Sequence, residues 1–441
     1  MSNTAGSGGE GYGGGAGGSG GGIYNSSNLS LVYSPVMSNA AGSGSNASIG
    51  YGGAGGSGGG IFNSSSLSLV YSPVMSNMAG SGGVTYSQYY YGGVGGSGGG
   101  IYNLSNLSLA YSSIMSNTSG RGEPGGSGGG ISNTGWIDLL GGVVNGNKSG
   151  LGGNPDSRGG NGGGIDSGQG NLQLTNAIVT ENCVEPGGMG SGLYVGSTAM
   201  LVHTTLARNT GGDGSGIYLM GSILTLTNTI LVSHTLGITA SLGSSVLLDS
   251  TLWGSGAWAN ISDWGGSGTF TSTHDYYGDP GFVDPENGDY HILPTSPAID
   301  LGVPTSTTVD IDNQPRPNPS TGTSPGIPDL GADEYWLFTP IFEVLITGPS
   351  LIFTSLEATY TATISPTVAT PNITYYWFPE PKIGQGTDTV NYNNLIPGTY
   401  TITVTAFNAG SSVTASQQVI VVFGPHPIFL PLVAWKGLLS P

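Results

Sequence analysis

Three ionisable side chains near the middle of the chain are of the types that act in acid–base chemistry. Glu181 lies in the block ENCV, and His203 and Arg208 lie in the block HTTLARN, so all three fall at strand ends that neighbouring coils could bring together. Hydrolysis of a glycosidic bond needs two carboxylates close together, and its cleavage by elimination needs a basic residue as proton acceptor. The simpler interpretation of the same placement is a polar strand edge, and on that interpretation the chain is not an enzyme.

Carboxylates also collect around Arg316 in the C-terminal third. Carboxylate oxygens are ligands of Ca²⁺, and Asp300, Asp310 and Asp312 are the candidates for such a site. No regular loop spacing fixes a coordination sphere, so the sequence favours a capping region whose carboxylates bond turn amides and Arg316. We therefore predict no cofactor, with Ca²⁺ as the alternative. The whole acidic group comprises Asp300, Asp310, Asp312, Asp329, Asp333 and Glu334.

The composition excludes several classes of partner. Among 441 residues, 84 are glycine and only 7% are charged, and 25 acidic residues against seven basic ones give a net charge of −18. Binding to nucleic acid or to an anionic membrane surface needs a basic patch, which this chain does not supply. No apolar run approaches the roughly 18 residues that span a bilayer. The single cysteine, Cys183, forms no internal disulfide.

The elements that must position these residues are indicated by a repeat. The motif GGSGGGIYNSSNLSLVYSPVMSN occurs with small changes three times, and Ile23, Ile61 and Ile101 mark equivalent positions 38 and 40 residues apart. Weaker echoes follow at shorter spacings, so the chain is an array of stacked units. Because Met1 lies inside a repeat, we expect an upstream part, including a signal sequence, to be missing.

Each repeat predicts one coil of three short strands. The blocks IYN, LSLVY and VMSN are separated by turn residues, and alternation places Leu29, Leu31 and Tyr33 on one face, which should point into the coil. One coil buries too little apolar surface to fold alone, so neighbouring coils must share their hydrogen bonds. The glycine runs precede the first strand of each coil, where a sharp turn packs against its copy one coil away.

Repeated asparagines predict two ladders along the stack. An asparagine side chain tolerates left-handed backbone angles and can bond the amide of its neighbour in the next coil. The first ladder comprises Asn25, Asn63, Asn103 and Asn133, and the second comprises Asn39, Asn77, Asn117, Asn145, Asn182 and Asn209.

Two resemblances extend this reading over the first three quarters of the chain. The pattern GGGIYN, LSLVYS and VMSN resembles the right-handed parallel β-helices of bacterial surface proteins, including chlamydial polymorphic outer-membrane proteins, and implies about ten coils over 1–278. The blocks SPAID, DIDNQPRP and LGADEY resemble the end of the choice-of-anchor Q β-helix proteins. That resemblance implies a β-helix end or capping region over 279–341 and a surface protein.

The remaining sequence predicts a second domain and a tail. Alternating blocks such as LEATYTATI and TYTITVTAF predict an immunoglobulin-like β-sandwich over 342–423. TYYWF and PGTYTITVTAFNAG resemble the polycystic-kidney-disease-type (PKD) modules of bacterial exported proteins. In the tail, 424–441, IFLPLV resembles a terminal motif of exported Chloroflexota proteins. The tail is a sorting signal, a docking strand or a final strand of the sandwich.

Together these features predict an extracellular structural or adhesive surface protein of the all-β class. Tyr24, Phe62, Tyr102 and the run 89–91 are candidate contact surfaces, or Tyr24, Phe62 and Tyr102 are only an exterior aromatic stack. Head-to-tail assembly through the coil ends or the tail would make a homopolymer, and surface glycans are the other expected partner. The rival predictions are a carbohydrate-active β-helix enzyme and a non-catalytic glycan-binding protein.

Overall fold

A computed structural model of the chain describes residues 2–317, 326–336, 341–354, 356–365, 367, 373–393, 395–408 and 411–424. The chain divides into two compact units, Met1–Tyr335 and Trp336–Pro441. Both consist of β-strands, and the described residues contain two short 3₁₀ helices and no α-helix. The 3₁₀ helices span Gly256–Trp258 and Pro285–Asn287.

The first unit begins with a long series of short strands. In chain order they are β1 (Ile23–Asn25), β2 (Leu29–Val32), β3 (Val36–Met37), β4 (Ile61–Asn63), β5 (Leu67–Val70), β6 (Val74–Met75), β7 (Ile101–Asn103), β8 (Asn106–Ala110), β9 (Ile114–Met115), β10 (Ile131–Asn133), β11 (Trp136–Leu140), β12 (Val143–Asn145) and β13 (Ile165–Ser167). They continue with β14 (Asn171–Thr180), β15 (Cys183–Val184), β16 (Leu193–Val195), β17 (Thr198–Ala207), β18 (Thr210–Gly211), β19 (Ser215–Leu219), β20 (Ile223–Val232), β21 (Leu236–Ala240), β22 (Ser245–Gly254), β23 (Ser262–Gly266) and β24 (Thr269–Gly278).

These strands stack into a parallel β-helix. One sheet has nine parallel strands in the order β1, β4, β7, β10, β13, β16, β19, β21 and β23, and a second has thirteen strands. The pairing is in register, so Ile61 lies between Ile23 and Ile101. Alternation turns Ile61, Leu67 and Leu69 inward, where they are 0–2% exposed, and they join one continuous apolar core along the stack.

The coils change character at β14. Earlier coils carry two separate strands in the second sheet, whereas β14 is one ten-residue strand that pairs with both β11 and β12. Each of β14, β17 and β20 contains one residue with positive φ, namely Asn176 (50°), His203 (49°) and Asn228 (55°). Such residues bend every coil at the same place. This first bend column comprises Tyr33, Tyr71, Tyr111, Gly141, Asn176, His203, Asn228, Ser250 and His274.

Tyr33 corrects one expectation from the alternation. Leu29 and Leu31 pack against the core, but β2 ends at Val32 and the positive φ of Tyr33 (48°) turns its side chain out, where it is 73% exposed. A left-handed residue breaks the two-residue period, so alternation cannot be extended across it.

The longest coils carry glycine arms, which we define as residues 4–18, 40–56, 78–96, 118–126 and 148–160. The outgoing and returning halves of the arms hydrogen-bond both between successive arms and within one arm: Gly80 N donates to Gly56 O of the preceding arm, and Gly96 N donates to Gly80 O of its own arm, both at 2.8 Å. A Cβ on Gly96 would lie 2.0 Å from Gly56 O. Glycine is therefore required throughout a packed layer, beyond the predicted sharp turn, which is present at Gly98 (φ 66°).

A lateral cover, made of residues 279–317 and 326–335, lies against the side of the later coils. It contains β25 (Phe282–Asp284) and β26 (Asp289–Ile292), which pair antiparallel. Tyr290, Ile292 and Leu330 are buried against outward-facing residues of β14 to β22 such as Ile230 and Leu252. The segment predicted as a β-helix end or capping region thus covers a side of the β-helix, because these strands are apolar on both faces.

The second unit is a mainly antiparallel β-sandwich. Its strands are β27 (Glu343–Thr347), β28 (Leu351–Phe353), β29 (Ala358–Ser365), β30 (Thr374–Phe378), β31 (Thr389–Tyr392), β32 (Gly398–Asn408) and β33 (Ser411–Val422). They form a three-stranded sheet, β27-β29-β31, and a four-stranded sheet, β28-β33-β32-β30, around buried Tyr360 and Trp377. The predicted fold class, a parallel β-helix followed by an immunoglobulin-like sandwich, is confirmed. The predicted tail lies outside the described residues except for Gly424.

Candidate functional site

The three catalytic candidates lie at two different bends of the coil. Glu181 (φ 57°) and Arg208 (φ 54°) are neighbours in a second column of left-handed residues, and Arg208 Nη1 lies 3.6 Å from Glu181 Oε1. His203 belongs to the first bend column, five positions before Arg208. The structure therefore brings together Glu181 and Arg208 but places His203 among other partners.

Glu181 and Arg208 are both engaged by the lateral cover. Tyr290 donates its hydroxyl to Glu181 Oε1 at 2.7 Å, and Arg208 Nη2 lies 2.6 Å from Glu286 Oε1. The Arg208 guanidinium also stacks over Trp258 at 4.6 Å from the ring centroid. Burial and the bond to Glu181 raise the pKa of Tyr290 well above its usual value. These contacts give both side chains a role in holding the cover to the coils.

His203 is fully buried beneath the cover. Its Nε2 lies 3.1 Å from both Thr305 Oγ1 and Asn228 Nδ2, and its Nδ1 contacts Arg316 Nη1. Burial, and secondly the Arg316 charge, lower the pKa of His203 to about 2. The imidazole is therefore neutral at ordinary pH, and it has no exposed surface in this structure.

Arg316 and the acidic side chains around it join different segments of the lateral cover to one another. Arg316 donates to Gly331 O at 3.0 Å and to Ala332 O at 2.9 Å, and its Nε lies 3.5 Å from Glu334 Oε2. Asp329 accepts hydrogen bonds from two backbone amides, those of Asp300 and Tyr335. Burial, and secondly the Glu334 carboxylate, raise the pKa of Asp329 despite these amides and the Arg316 guanidinium, so part of the desolvation cost of the carboxylate is not offset.

The three Ca²⁺ candidates do not share a coordination site. Asp310 accepts the amides of Asp312 and Gln314, while Asp300 meets Asp329 through its backbone amide. The carboxylate of Asp312 turns to His291, with Oδ2 2.9 Å from Nε2.

His291, Asp312 and Asp333 do converge, with ligand atoms within 4.8 Å of one another. His291 also lies 2.5 Å from Asp289 Oδ1 through its Nδ1. The hydrogen bond to Asp312, with Asp333 and Asp289 nearby, raises the pKa of His291 to about 10. In the protonated state the imidazole pairs with these carboxylates inside the cover, and the same three side chains carry atoms of the types that ligate metal ions.

The asparagine ladders run along the inside of the coils. In the first, Asn25 Nδ2 donates to Asn63 Oδ1 and Asn63 Nδ2 to Asn103 Oδ1, both at 2.7 Å, and the series continues to Asn133 and Ser167. In the second, each side-chain oxygen accepts both the backbone and the side-chain N–H of the asparagine in the preceding coil. The second ladder comprises Asn3, Asn39, Asn77, Asn117, Asn147, Asn182, Asn209, His234 and Asn260.

Four members of the second ladder, Asn3, Asn147, His234 and Asn260, were not in the predicted set. The place given to Asn145 is wrong: Asn147 occupies it, and Asn145 instead donates to Thr180 Oγ1 at the coil surface. The slip arises because Asn145 and Asn147 stand two residues apart in VVNGN and the coil length had changed. His234 was also missed, although its Nε2 lies 3.1 Å from Asn209 Nδ2 in place of an asparagine oxygen.

Aromatic rings stack on the outer surface of the coils. Tyr24 and Phe62 are 4.8 Å apart between ring centroids, and Phe62 and Tyr102 are 5.3 Å apart. A second stack in the first bend column comprises Tyr33, Tyr71 and Tyr111, spaced by 5.1 and 5.2 Å. The register of the β-helix sets both spacings, because equivalent residues recur once per coil.

A group of tyrosines lies at the ends of the glycine arms. The repeat pattern revealed only part of this group. Parallel bridges join Gly11 to Ala47 and Ala47 to Thr85, so the residues that follow lie side by side in three successive arms. We call these side chains the arm-tip tyrosines; they are 40–91% exposed. They comprise Tyr12, Tyr51, Tyr86, Tyr89, Tyr90 and Tyr91.

Comparison with known proteins identifies part of the second unit. Residues 346–421 match the PKD domain family, which confirms the predicted resemblance of this unit to PKD-type modules. No curated protein and no solved structure matches the chain. PKD domains are typical of extracellular proteins. Within the part of the chain that the structure describes, no helix is long and apolar enough to cross a membrane.

Proposed function

We propose that the chain is a non-catalytic, extracellular structural and adhesive protein that makes contact through the arm-tip tyrosines. The observation that carries this proposal is the exposure of six tyrosines on three adjacent arms, among them Tyr89 at 91% and Tyr12 at 81%. A monomeric surface rarely leaves such a group of large rings uncovered unless it meets a partner. Tyrosine supplies contact area with little loss of side-chain entropy.

The arms suit this use because they hold the tips rigidly. Backbone hydrogen bonds between glycines continue out to Gly83 and Gly93, next to the run that holds Tyr89. At the tip, Tyr51 and Tyr90 pack edge to face with centroids 5.0 Å apart, and Asn46 Nδ2 donates to the hydroxyl of Tyr86 at 3.2 Å. Rings held in this way lose less freedom when they bind.

The PKD match supports an extracellular setting, and the surface-protein resemblances of the chain belong to the same proposal. We propose that the protein is of the choice-of-anchor Q type and is exported, like the Chloroflexota proteins that its tail resembles. The contacts of Glu181, His203 and Arg208 support a non-catalytic role. Head-to-tail assembly and glycan partners stay predictions that sedimentation at two concentrations and a glycan array would check.

The test is adhesion of the full chain to beads coated with polysaccharide or with protein. A double variant, Tyr89→Ser with Tyr91→Ser, should reduce the adhering fraction at least fivefold. The matched control is Tyr33→Ser with Tyr71→Ser, which removes two exposed tyrosines from the side of the coils and should adhere like the parent. Equal adhesion of the parent and the arm-tip variant would overturn the proposal, as would release of soluble sugar from the polysaccharide.

A further inference from the structure

The outward column of the nine-stranded sheet is interrupted at two coils. The middle residue of each strand points outward in register, and the order along the stack is Tyr24, Phe62, Tyr102, Ser132, Asp166, Tyr194 and Tyr218. Ring stacking therefore stops at Tyr102 and resumes at Tyr194, whose centroid lies 5.7 Å from that of Tyr218. Three coil steps of about 4.8 Å separate these two rings by roughly 14 Å. The small side chains between them leave the space of two missing rings.

This interruption is a slot with a polar floor. Ser132, Thr134, Asp166 and Gln169 line a cavity of about 250 Å³ that Tyr194 borders on one side. Drug-sized ligands occupy about 300–1,000 Å³, so the slot fits a single small ring or chain unit. Hydroxyl, amide and carboxylate groups thus face the same space as an aromatic ring.

Asp166 brings an uncompensated negative charge to the slot. Its Oδ1 accepts the backbone N–H of Gly168 at 3.0 Å, and the Ser127 hydroxyl also stabilises the carboxylate. No lysine or arginine among the described residues forms an ion pair with it. Its charge raises the pKa of Tyr102 and of Tyr194, after burial, so it acts on both tyrosines that bound the slot. A half-buried carboxylate in that position attracts a cation.

We propose that the slot binds an amino sugar with a free ammonium group. The ammonium pairs with Asp166, one face of the sugar ring lies on Tyr194, and the ring hydroxyls bond Thr134 and Gln169. A neutral sugar would leave the carboxylate without a counter-charge, and a small cation without hydroxyls would leave the polar floor unmatched. This site goes beyond the arm-tip adhesion proposed above, because it lies on another surface and takes a defined monomer.

Saturation-transfer NMR with the full chain and D-glucosamine tests the proposal. D-glucosamine should give saturation transfer that titrates to a plateau, while N-acetylglucosamine, glucose and choline should each bind at least tenfold more weakly. Asp166→Asn, which keeps the shape of the side chain, should weaken glucosamine binding at least tenfold, and Tyr194→Ser should do the same. The control is Asp138→Asn, because Asp138 is a half-buried outward carboxylate of β11 on the other sheet.

Each contrary result overturns the assignment. Equal binding of choline and glucosamine would show a general cation site, equal binding of N-acetylglucosamine would remove the role of the charge, and unchanged binding in Asp166→Asn would place the ligand elsewhere. Circular dichroism of each variant shows that it is folded. The bead assay on Asp166→Asn separates the two proposals, since loss of glucosamine binding should leave adhesion intact.

Discussion

The arm-bearing coils and the covered coils of the β-helix protect their strands in different ways. The first coils carry glycine arms, which lie outside the two sheets and hydrogen-bond to one another from coil to coil. The outer face of these coils carries stacked tyrosines that stay partly exposed. From β14 onward the arms shorten, and the outer face turns apolar and is buried by the lateral cover. The inner core and the asparagine ladder are common to both regions.

This difference shows which parts of a coil are fixed and which are free to vary. The inward isoleucine and leucine columns and the asparagine ladder repeat in every coil because each must match its neighbours above and below. The outward face has no such partner, so it can carry rings, a slot or an apolar surface under a cover. Function is expected on the outward face, which is where the arm-tip tyrosines and the slot lie.

The ladder common to both regions should give the largest effect. Asn117→Ala removes the oxygen that accepts two buried N–H groups of Asn77, at 2.9 and 3.0 Å. We expect a loss of about 4 kcal/mol in the free energy of unfolding, because each unpaired buried donor costs roughly 1–3 kcal/mol. Urea unfolding of the full chain followed by tryptophan fluorescence measures it.

Asn209→Ala and Asn145→Ala calibrate that measurement. Asn209 accepts the same pair of bonds from Asn182 in a covered coil, so its loss should cost as much as that of Asn117. The side chain of Asn145 donates to the Thr180 hydroxyl at the partly exposed coil surface, and its loss should cost under about 1 kcal/mol. A large effect at Asn145, or a small one at Asn117, would contradict the corrected ladder.

The glycine arms distinguish the first region and should give the next largest effect. Gly96→Ala places a Cβ 2.0 Å from Gly56 O, in backbone that is hydrogen-bonded on both sides. We expect a loss of about 3 kcal/mol, the upper range for overpacking, measured by the same urea unfolding. Gly6→Ala is the matched control, because nothing lies within 4 Å of its Cβ position. If the two variants unfold alike, the arms do not pack as described.

The covered region should respond to acid through His203. Its pKa is lowered to about 2 in the folded protein, whereas the unfolded pKa is about 6.5. As the pH falls below about 6.5, the unfolded chain therefore binds a proton that the folded chain does not, and the free energy of unfolding decreases. At pH 5 the loss is about 2 kcal/mol. His203→Asn should lack it, since Asn176 and Asn228 hold the same conformation in adjacent coils.

The measurement compares the parent and His203→Asn in urea at pH 7.5 and pH 5. Nearby groups such as Asp329 titrate in both proteins, so only the difference between the two reports His203. An identical change on acidification in both proteins would mean that His203 is not enclosed by the cover.

The features that repeat in successive coils could be predicted from the sequence because they recur at a nearly fixed spacing. Ile23, Ile61 and Ile101 gave the register directly, and the asparagines of MSN gave the second ladder as far as Asn117. Beyond that point the coil length fell from 40 to 30 residues, and the prediction placed Asn145 in the ladder although the 30-residue step from Ile101 to Ile131 leads from Asn117 to Asn147. Where the coil length changes, the ladder is predicted correctly only if the new step between equivalent isoleucines is applied to the asparagines as well.

The lateral cover and the arms were harder to foresee for separate physical reasons. The blocks NAIVT, NTILV and STLWG contain successive apolar residues where alternation should stop, and a strand apolar on both faces needs a second layer. The arms gave no such signal, since a glycine run has no side-chain pattern to show which backbone it pairs with.

The exposed rim of the lateral cover should contribute least to the free energy of unfolding, in contrast to the buried interior of the cover. Glu286 lies 2.6 Å from Arg208, but its side chain is 77% exposed. Glu286→Gln should therefore change the free energy of unfolding by less than about 0.5 kcal/mol, because exposed ion pairs are screened by water and salt. Leu330→Ala, which truncates a fully buried residue of the same cover, should cost about 2–5 kcal/mol. If Glu286→Gln proved as costly as Leu330→Ala in the same urea experiment, the cover would be held at its edge by charge and not by the apolar contacts of its interior.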